Sequence, residues 1–268
     1  MNSSRARPVV TLTTDFGLAD HYVGTMKGVI LSRCPEAQLV DISHEIPAFS
    51  IPAAAYAIAQ AAPYFPPGTV HLVIVDPGVG TSRKPLCVEG FGQYFIAPDN
   101  GVLSFVLTRD AKAQARELSN RAFWLDSPSS TFHGRDIFAP SAAALASGAA
   151  TPADLGPVLS RIETLPELEP EQLTETLWRA TILSIDRFGN AITNLRRDRF
   201  YHVSFTPFTI EAGSSSITAF HETFGTAPPG EPFVYFGSSG YLEIGMNQHS
   251  AARALELRPG AHITFRVS

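Results

Sequence analysis

Val73-Ile74-Val75-Asp76-Pro77-Gly78-Val79-Gly80-Thr81-Ser82-Arg83 is the stretch on which the reading of the fold turns. With Thr69 to Leu72 ahead of it, it forms a β-branched apolar run of the kind that fills a strand buried on both faces. The run delivers Asp76 to its carboxyl end, a glycine turn follows at once, and Arg83 lies just beyond. Open α/β sheets bind ligands outside the carboxyl ends of their strands, so the same stretch is a candidate site. A second stretch, Thr131-Phe132-His133-Gly134-Arg135-Asp136-Ile137-Phe138, supplies an imidazole at the edge of another apolar segment. If Asp76, Arg83 and His133 meet, a carboxylate, a guanidinium and an imidazole surround one space, which suffices to bind and deprotonate water. Taken singly each has a plainer use: Asp caps a turn, Arg pairs with an Asp, and His is a satisfied hydrogen-bonder.

Outward from this strand, the first part of the chain alternates strand and helix patterns. Pro8 to Thr14 reads as a strand ending at Asp15-Phe16-Gly17, and Tyr22 to Ser32 as a helix that stops at Pro35. Gln38 to Ile42 reads as a strand, and Ile51 to Ala62 as a helix with Pro52 in its first turn. Two shorter strands, Leu86–Glu89 and Tyr94–Ala97, follow the Asp76 strand. Then come a helix over Gly101–Thr108 and a small-residue helix, Phe138–Ser147, closed by Gly148. This order predicts an α/β fold with a mainly parallel sheet flanked by helices. From Leu177 the pattern changes to alternating runs: Leu177–Ile185, Ala191–Leu195, Phe208–Ala212, Phe233–Phe236, Tyr241–Ile244 and His262–Val267. Turn signals such as Gly213-Ser214-Ser215 and Gly237-Ser238-Ser239-Gly240 separate them, which predicts a small antiparallel β-domain or barrel. The expected organisation is an N-terminal α/β domain over 1–165, a linker over 166–175, and a C-terminal antiparallel β-barrel over 176–268.

Composition narrows the function classes. The 268 residues are 44% hydrophobic and 17% charged with a net charge of -5, ordinary for a soluble globular chain and unsuited to nucleic acid or an anionic membrane as partner. Cys34 and Cys87 form neither a disulfide framework nor a metal-ligand spacing, which fits a reducing compartment. Met1 to Arg7 is polar with no apolar core behind it, so no secretory signal is read there and a cytoplasmic location is expected. No GxGxxG follows the first strand and no GxxxxGK[ST] occurs, so a phosphate-cradling loop is unsupported.

Further residues suggest a ligand. Asp15 ends the first strand on the sheet edge expected for Asp76, where a carboxylate can accept from adjacent hydroxyls. Asp20 suits either that edge or an N-cap for the following helix. Within Asp186-Arg187-Phe188-Gly189-Asn190, Asn190 could read an adenine edge and Phe188 offer a stacking face. Alternatively the segment is a hairpin turn with Asn190 left-handed. Asp15, Asp76, His133 and Asp136 are also metal-ligand types, although no HxH, HxxxH or DxD pair accompanies them and Arg83 would oppose a cation.

Taken in order, Thr13-Thr14-Asp15-Phe16-Gly17, the Asp76 and His133 stretches, Ile185–Asn190 and Ser238–Gly245 make the chain resemble the S-adenosyl-L-methionine (SAM) hydroxide adenosyltransferases, relatives of fluorinase and chlorinase. The resemblance runs nearly end to end. It implies hydrolysis of SAM to adenosine and L-methionine, with SAM as substrate, no cofactor and no metal. It also implies an α/β domain with a C-terminal barrel, and a homotrimer with sites between neighbouring subunits. By the same resemblance Asp76, Arg83 and His133 are the catalytic set and Asp15 binds ribose. Asp20 and Asp186 hold the amine, and Ser238 holds the methionine carboxylate. Phe188, Asn190, Phe224 and the backbone from Met246 to Gln248 meet adenine, and Phe49 and Gly134 complete the substrate-binding set. The halogenases carry a Tyr in place of Asp76 and a Thr in place of Val79. The fluorinase has a Ser in place of Gly134, an Arg in place of Ser239, and an insertion around Gly90–Gln93. A carboxylate at Asp76 would repel a halide while accepting a proton from water. The alternatives are a halogenase of the same family, a metal-dependent hydrolase, or a non-catalytic adenosine-binding protein.

Overall fold

The computed structural model describes residues 7–267. Met1 to Ala6, most of the segment read as lacking a secretory signal, lie outside the described residues. The chain divides into two compact units, one up to Leu165 and one from Pro166 onward.

The first unit contains six strands, β1 (Val9–Thr14), β2 (Gln38–Ser43), β3 (Val70–Ile74), β4 (Pro85–Gly90), β5 (Gln93–Pro98) and β6 (Gln114–Glu117), and four main helices, α1 (Tyr22–Arg33), α2 (Ile51–Ala61), α3 (Ser104–Arg109) and α4 (Ala139–Ser147). The sheet order is β2-β1-β3-β5-β4-β6. β2, β1, β3 and β5 run parallel, whereas β4 joins β5 as an antiparallel hairpin and β6 extends it. All five residues of β3 are buried, as its apolar run predicts, and His71 is the one polar residue among them. Right-handed crossovers that leave β1 toward β2 and return from β2 to β3 place α1 and α2 on opposite faces. Accordingly Val10 and Leu12 pack with Met26 and Ile30 of α1 and with the alanines of α4. On the other face Thr11 and His71 bond each other at 2.8 Å. His71 is stacked on Phe95, and burial holds its pKa down at about 4. It is therefore neutral at pH 7.

α4 is preceded by one π-helical turn, Gly134–Phe138, and ends at Gly148 with φ 75°. The apolar run Phe138–Ser147 predicts the helix but not the wider turn ahead of it. Cys34 and Cys87 are buried free thiols. No helix of the described residues is long and apolar enough to cross a membrane.

The second unit is a nearly closed antiparallel barrel of β7 (Glu171–Gln172), β8 (Leu177–Ile185), β9 (Ala191–Arg196), β10 (Phe208–Ala212), β11 (Ser215–Ile217), β12 (Pro232–Phe236), β13 (Tyr241–Met246) and β14 (His262–Val267). The order is β11-β10-β14-β8-β9-β13-β12, with β7 paired to β8. The first half of β8 pairs with β14 and its second half with β9, so one long strand serves both sides of the barrel. Ala180, Ile182, Leu195, Ile210, Leu242, Ile244 and Phe265 fill the interior. Residues 166–175, read as a linker, contain β7 and the buried Leu168. Two prolines and a two-residue strand leave too few positions for alternation to show. Ser215, read as part of a turn, opens β11 for the same reason.

Leu72, fully buried at the middle of β3, should on substitution to alanine lower unfolding free energy by about 2–5 kcal/mol, measured by urea denaturation.

Candidate active site

In the sheet β1 leads outward to β2, whereas the chain leaving β3 goes to the opposite side. The crevice between their carboxyl ends is therefore the topological switch point, where open sheets bind ligands. Thr14 pairs with Ile74, which brings Asp15 and Asp76 out side by side. A cavity of about 210 Å³ opens here, lined by Asp15, Phe49, Ile74, Asp76, His133 and Gly134 among others.

The Asp76 and Arg83 side chains are only 5% and 6% exposed and form a bidentate ion pair. Arg83 Nε donates to Asp76 Oδ1 at 3.1 Å, and Nη2 donates to Oδ2. Nη2 also reaches His133 Nδ1 at 3.2 Å. A guanidinium can only donate, so Nδ1 accepts and a neutral His133 carries its proton on Nε2. Burial first, and then the Arg83 charge, hold His133 below the usual histidine pKa. The guanidinium lies 5.2 Å from the centre of the Phe138 ring. The three groups expected to meet are thus in direct contact.

Their supports come from the local sequence. Asn100 Nδ2 donates to Val75 O at 2.8 Å and fixes the strand end. Gly78 O accepts from the Thr81 hydroxyl at 2.7 Å within the turn. Gly80, at φ +78°, sits so close to the Ser130 carbonyl that any Cβ would overlap it. The Asp76 turn and the His133 loop are therefore pressed together across a glycine. Asp136 is almost fully buried. Its carboxylate accepts from Ser129 N at 2.7 Å and from Arg135 Nε at 2.5 Å, which ties down the loop before His133. It is not among the residues lining the cavity, and no three His, Cys, Asp or Glu side chains of the described residues group as metal ligands.

Asp15 Oδ2 accepts from Phe49 N at 2.9 Å. Phe49 takes the left-handed backbone at φ 65° and is 71% exposed, so its ring forms an open wall of the cavity. Asp20 is exposed and does not line the cavity. The N-cap of α1 is His21, without a side-chain bond, so Asp20 does not cap that helix.

In the barrel, Phe188, Asn190, Phe224, Met246 and Gln248 line a cavity of about 550 Å³, together with His249 and Ser250. Five expected residues thus meet there, and two were not foreseen from sequence. The one available signal for Ser250 was its position before a short helix, whose Arg253 N it accepts at 3.1 Å. The Asp186–Asn190 segment is a tight turn, but Gly189, at φ 89°, takes the left-handed position expected of Asn190. Asp186 Oδ1 accepts from Phe188 N at 2.9 Å and Asn190 N at 2.8 Å, and Oδ2 from Asn190 Nδ2 at 2.7 Å. Those bonds free Asn190 from the strained conformation and aim its amide. Ser238 is exposed on the turn between β12 and β13.

Family models for the SAM hydroxide adenosyltransferase N-terminal and C-terminal domains match residues 10–156 and 180–264. The chain belongs to this family. A relative from Thermus thermophilus, named (R)-S-adenosyl-L-methionine hydrolase, is 40% identical over 268 residues, covering 95% of this chain and 97% of that one. A protein of the same name from Methanocaldococcus jannaschii is 33% identical, covering 93% and 92%. A fluorinase from Actinopolyspora mzabensis is 29% identical, covering 98% of each. The crystal structure of an uncharacterized conserved protein from Thermotoga maritima superposes with a TM-score of 0.84 at 37% identity, covering 96% of this chain and 99% of that one.

Gly80→Ala should drive the Asp76 turn away from the His133 loop. The expected result is loss of most turnover with melting lowered by only a few degrees; full turnover would show that the contact is not needed.

Proposed function

We propose that the protein hydrolyses S-adenosyl-L-methionine to adenosine and L-methionine. The contact of Asp76, Arg83 and His133 at the switch point carries the reading, and the hydrolase names of relatives 33–40% identical over nearly the whole chain support it. The sulfonium leaves ribose C5′ as a neutral thioether and needs no acid. The difficult partner is water. Held in line with the C5′–S bond, water gains a near-attack geometry, and a base removes its proton.

The hydrogen bonds favour Asp76 as that base. Neutral His133 presents Nε2–H, a donor, because its Nδ1 is engaged by Arg83. Asp76 keeps lone pairs beyond the two that Arg83 occupies, so His133 orients the oxygen and Asp76 takes the proton. A negative carboxylate at this position disfavours halide, which argues against halogenation. Arg83 supplies the local positive charge, so the reading needs neither metal nor cofactor.

Asp15 faces the ribose hydroxyls with its second oxygen. Asn190 reads the adenine edge between Phe188 and Phe224, with the backbone from Met246 to Gln248 alongside. Asp20, with the negative Asp186 turn, attracts the amine, and Ser238 meets the carboxylate. By resemblance the enzyme is a homotrimer with sites between neighbouring subunits, and light scattering should give three times the mass of the chain. Two buried thiols and a net charge of -5 suit a cytoplasmic enzyme.

The test is product analysis with EDTA-treated protein and each sulfonium epimer of SAM, with and without chloride or fluoride. Equal adenosine and methionine, indifferent to halide and chelator and faster from the (R) epimer named in the relatives, is expected. A 5′-halo adenosine, dependence on metal, or binding without turnover would overturn the reading. Asp76→Asn should lower kcat by about 10²–10⁴, with adenosine affinity kept.

The pH profile follows from His133. Protonation of Nδ1 removes the acceptor that Arg83 uses and sets two positive charges together. Turnover should be level above the ordinary histidine range and fall on acidification through the depressed His133 pKa. A fall beginning above pH 7 would contradict this assignment.

A further inference from the structure

The β12–β13 hairpin carries a polar pair that the chemistry above leaves unused. Tyr235 and Glu243 stand opposite each other in the ladder, and the Tyr235 hydroxyl donates to Glu243 Oε2. Glu243 is only 7% exposed. Burial above all pushes its carboxyl above the usual range; the Tyr235 bond opposes this, and the charge of nearby Asp186 adds to it. Leu242, Ile244 and Met246 point into the barrel core, so strand alternation puts Glu243 and Gly245 on the other face of β13.

Both ends of the pair touch the binding surface. The Tyr235 ring meets Phe224, a wall of the 550 Å³ cavity, at 5.0 Å between centroids. Between them lies Gly245, where a Cβ would come within 3.0 Å of Tyr235 Cε1 and 3.3 Å of both Asn190 Oδ1 and Phe224 Cε1. At the other end the Glu243 carboxylate lies against Gly237 so closely that any Cβ there would overlap Oε1. Gly237 opens the turn that carries Ser238, closed by Gly237 N to Tyr241 O and Gly240 N to Gly237 O, both 3.0 Å. One hydrogen-bonded pair therefore reaches from the cavity wall to the serine turn.

We propose that Tyr235 and Glu243 are positioning residues that fix the spacing between the nucleoside cavity and the Ser238 turn, and so select the chain length of the substrate's amino-acid arm. This rests on the reading of Ser238 as the group that meets the substrate carboxylate. Tyr235 and Glu243 are not among the lining residues of the cavity, and they act by holding two groups that touch substrate at a set distance. A loosened pair would let the turn ride away from the cavity, which penalises the natural arm and relaxes discrimination against a longer one.

The test compares SAM with its homologue bearing one more methylene between sulfur and the α-carbon. Tyr235→Phe and Glu243→Ala should raise KM for SAM and reduce the preference in kcat/KM for SAM over the homologue by about tenfold, the size of one lost buried hydrogen bond. The Kd of adenosine should hold. Glu243→Gln, whose amide oxygen can still accept from Tyr235, should retain most of the preference. If Glu243→Ala does not fold, Tyr235→Phe decides. An unchanged preference overturns the proposal, as does a rise in adenosine Kd that tracks KM, since that is the mark of a merely structural role. Ser238→Ala is measured alongside. If it leaves the KM for SAM unchanged in an enzyme that still turns over, the Ser238 reading has failed and the proposal falls with it. If it raises KM while the pair variants do not, the proposal alone has failed.

Discussion

Two opposite charges held out of water at the end of β3 set the terms for the first unit. Removing a carboxylate and a guanidinium from solvent is costly, and only close bidentate geometry with further hydrogen bonds offsets it. The Asp76–Arg83 pair meets that requirement through neighbours that serve it. Asn100 pins the strand end, the Gly78–Thr81 turn returns the chain to Arg83, and the Phe138 ring lies under the guanidinium. Arg83 then orients His133. The π-helical turn after His133 belongs to the same arrangement, because wide helical turns of this kind are frequently found at functional sites. The ion pair at the cavity therefore also organises its walls.

The barrel solves a different problem, that of carrying polar groups on strands whose other face must stay apolar. Alternation along β13 divides the work, with Leu242, Ile244 and Met246 toward the core and Glu243 and Gly245 away from it. The Asp186 turn does likewise just ahead of β9, where three hydrogen bonds to one carboxylate hold Asn190 outside the left-handed region. The first unit thus carries an ion pair and an imidazole at its sheet edge, and the second an aromatic and amide surface.

Legibility in the sequence followed the strength of local signals. The strands β8, β10 and β14 begin and end where the apolar pattern and turns place them, because each is at least five residues long, with β10 and β14 buried on one face and β8 buried on both over Ala180 to Leu183. The meeting of Asp76, Arg83 and His133 was foreseeable because each rides on a glycine-bearing segment at the edge of an apolar run. β6, β7 and β11 were not, since two to four residues cannot display a period. The roles of Gly80 and Gly237 were hidden as well. A glycine in a turn signals freedom of φ, whereas these two matter because a distant carbonyl and a distant carboxylate occupy the space of their missing side chains. Asp20 shows the opposite error: its position before α1 invites a capping role that His21 takes without any side-chain bond.

The chemistry of sulfur in this chain is unevenly distributed. Cys34 and Cys87 are 3% and 1% exposed, and burial pushes the Cys87 thiol up to about 12. Oxidation and alkylation proceed through the thiolate, so neither cysteine is a competent target in the folded state. Met26 is fully enclosed beneath Gly134, whereas Met246 borders the large cavity of the barrel. Met246 is 7% exposed at that cavity's edge, so of the two described methionines it is the one nearer to an oxidant, and its sulfoxide is a lesion that reductases can erase. Disulfide formation would leave the folded enzyme untouched.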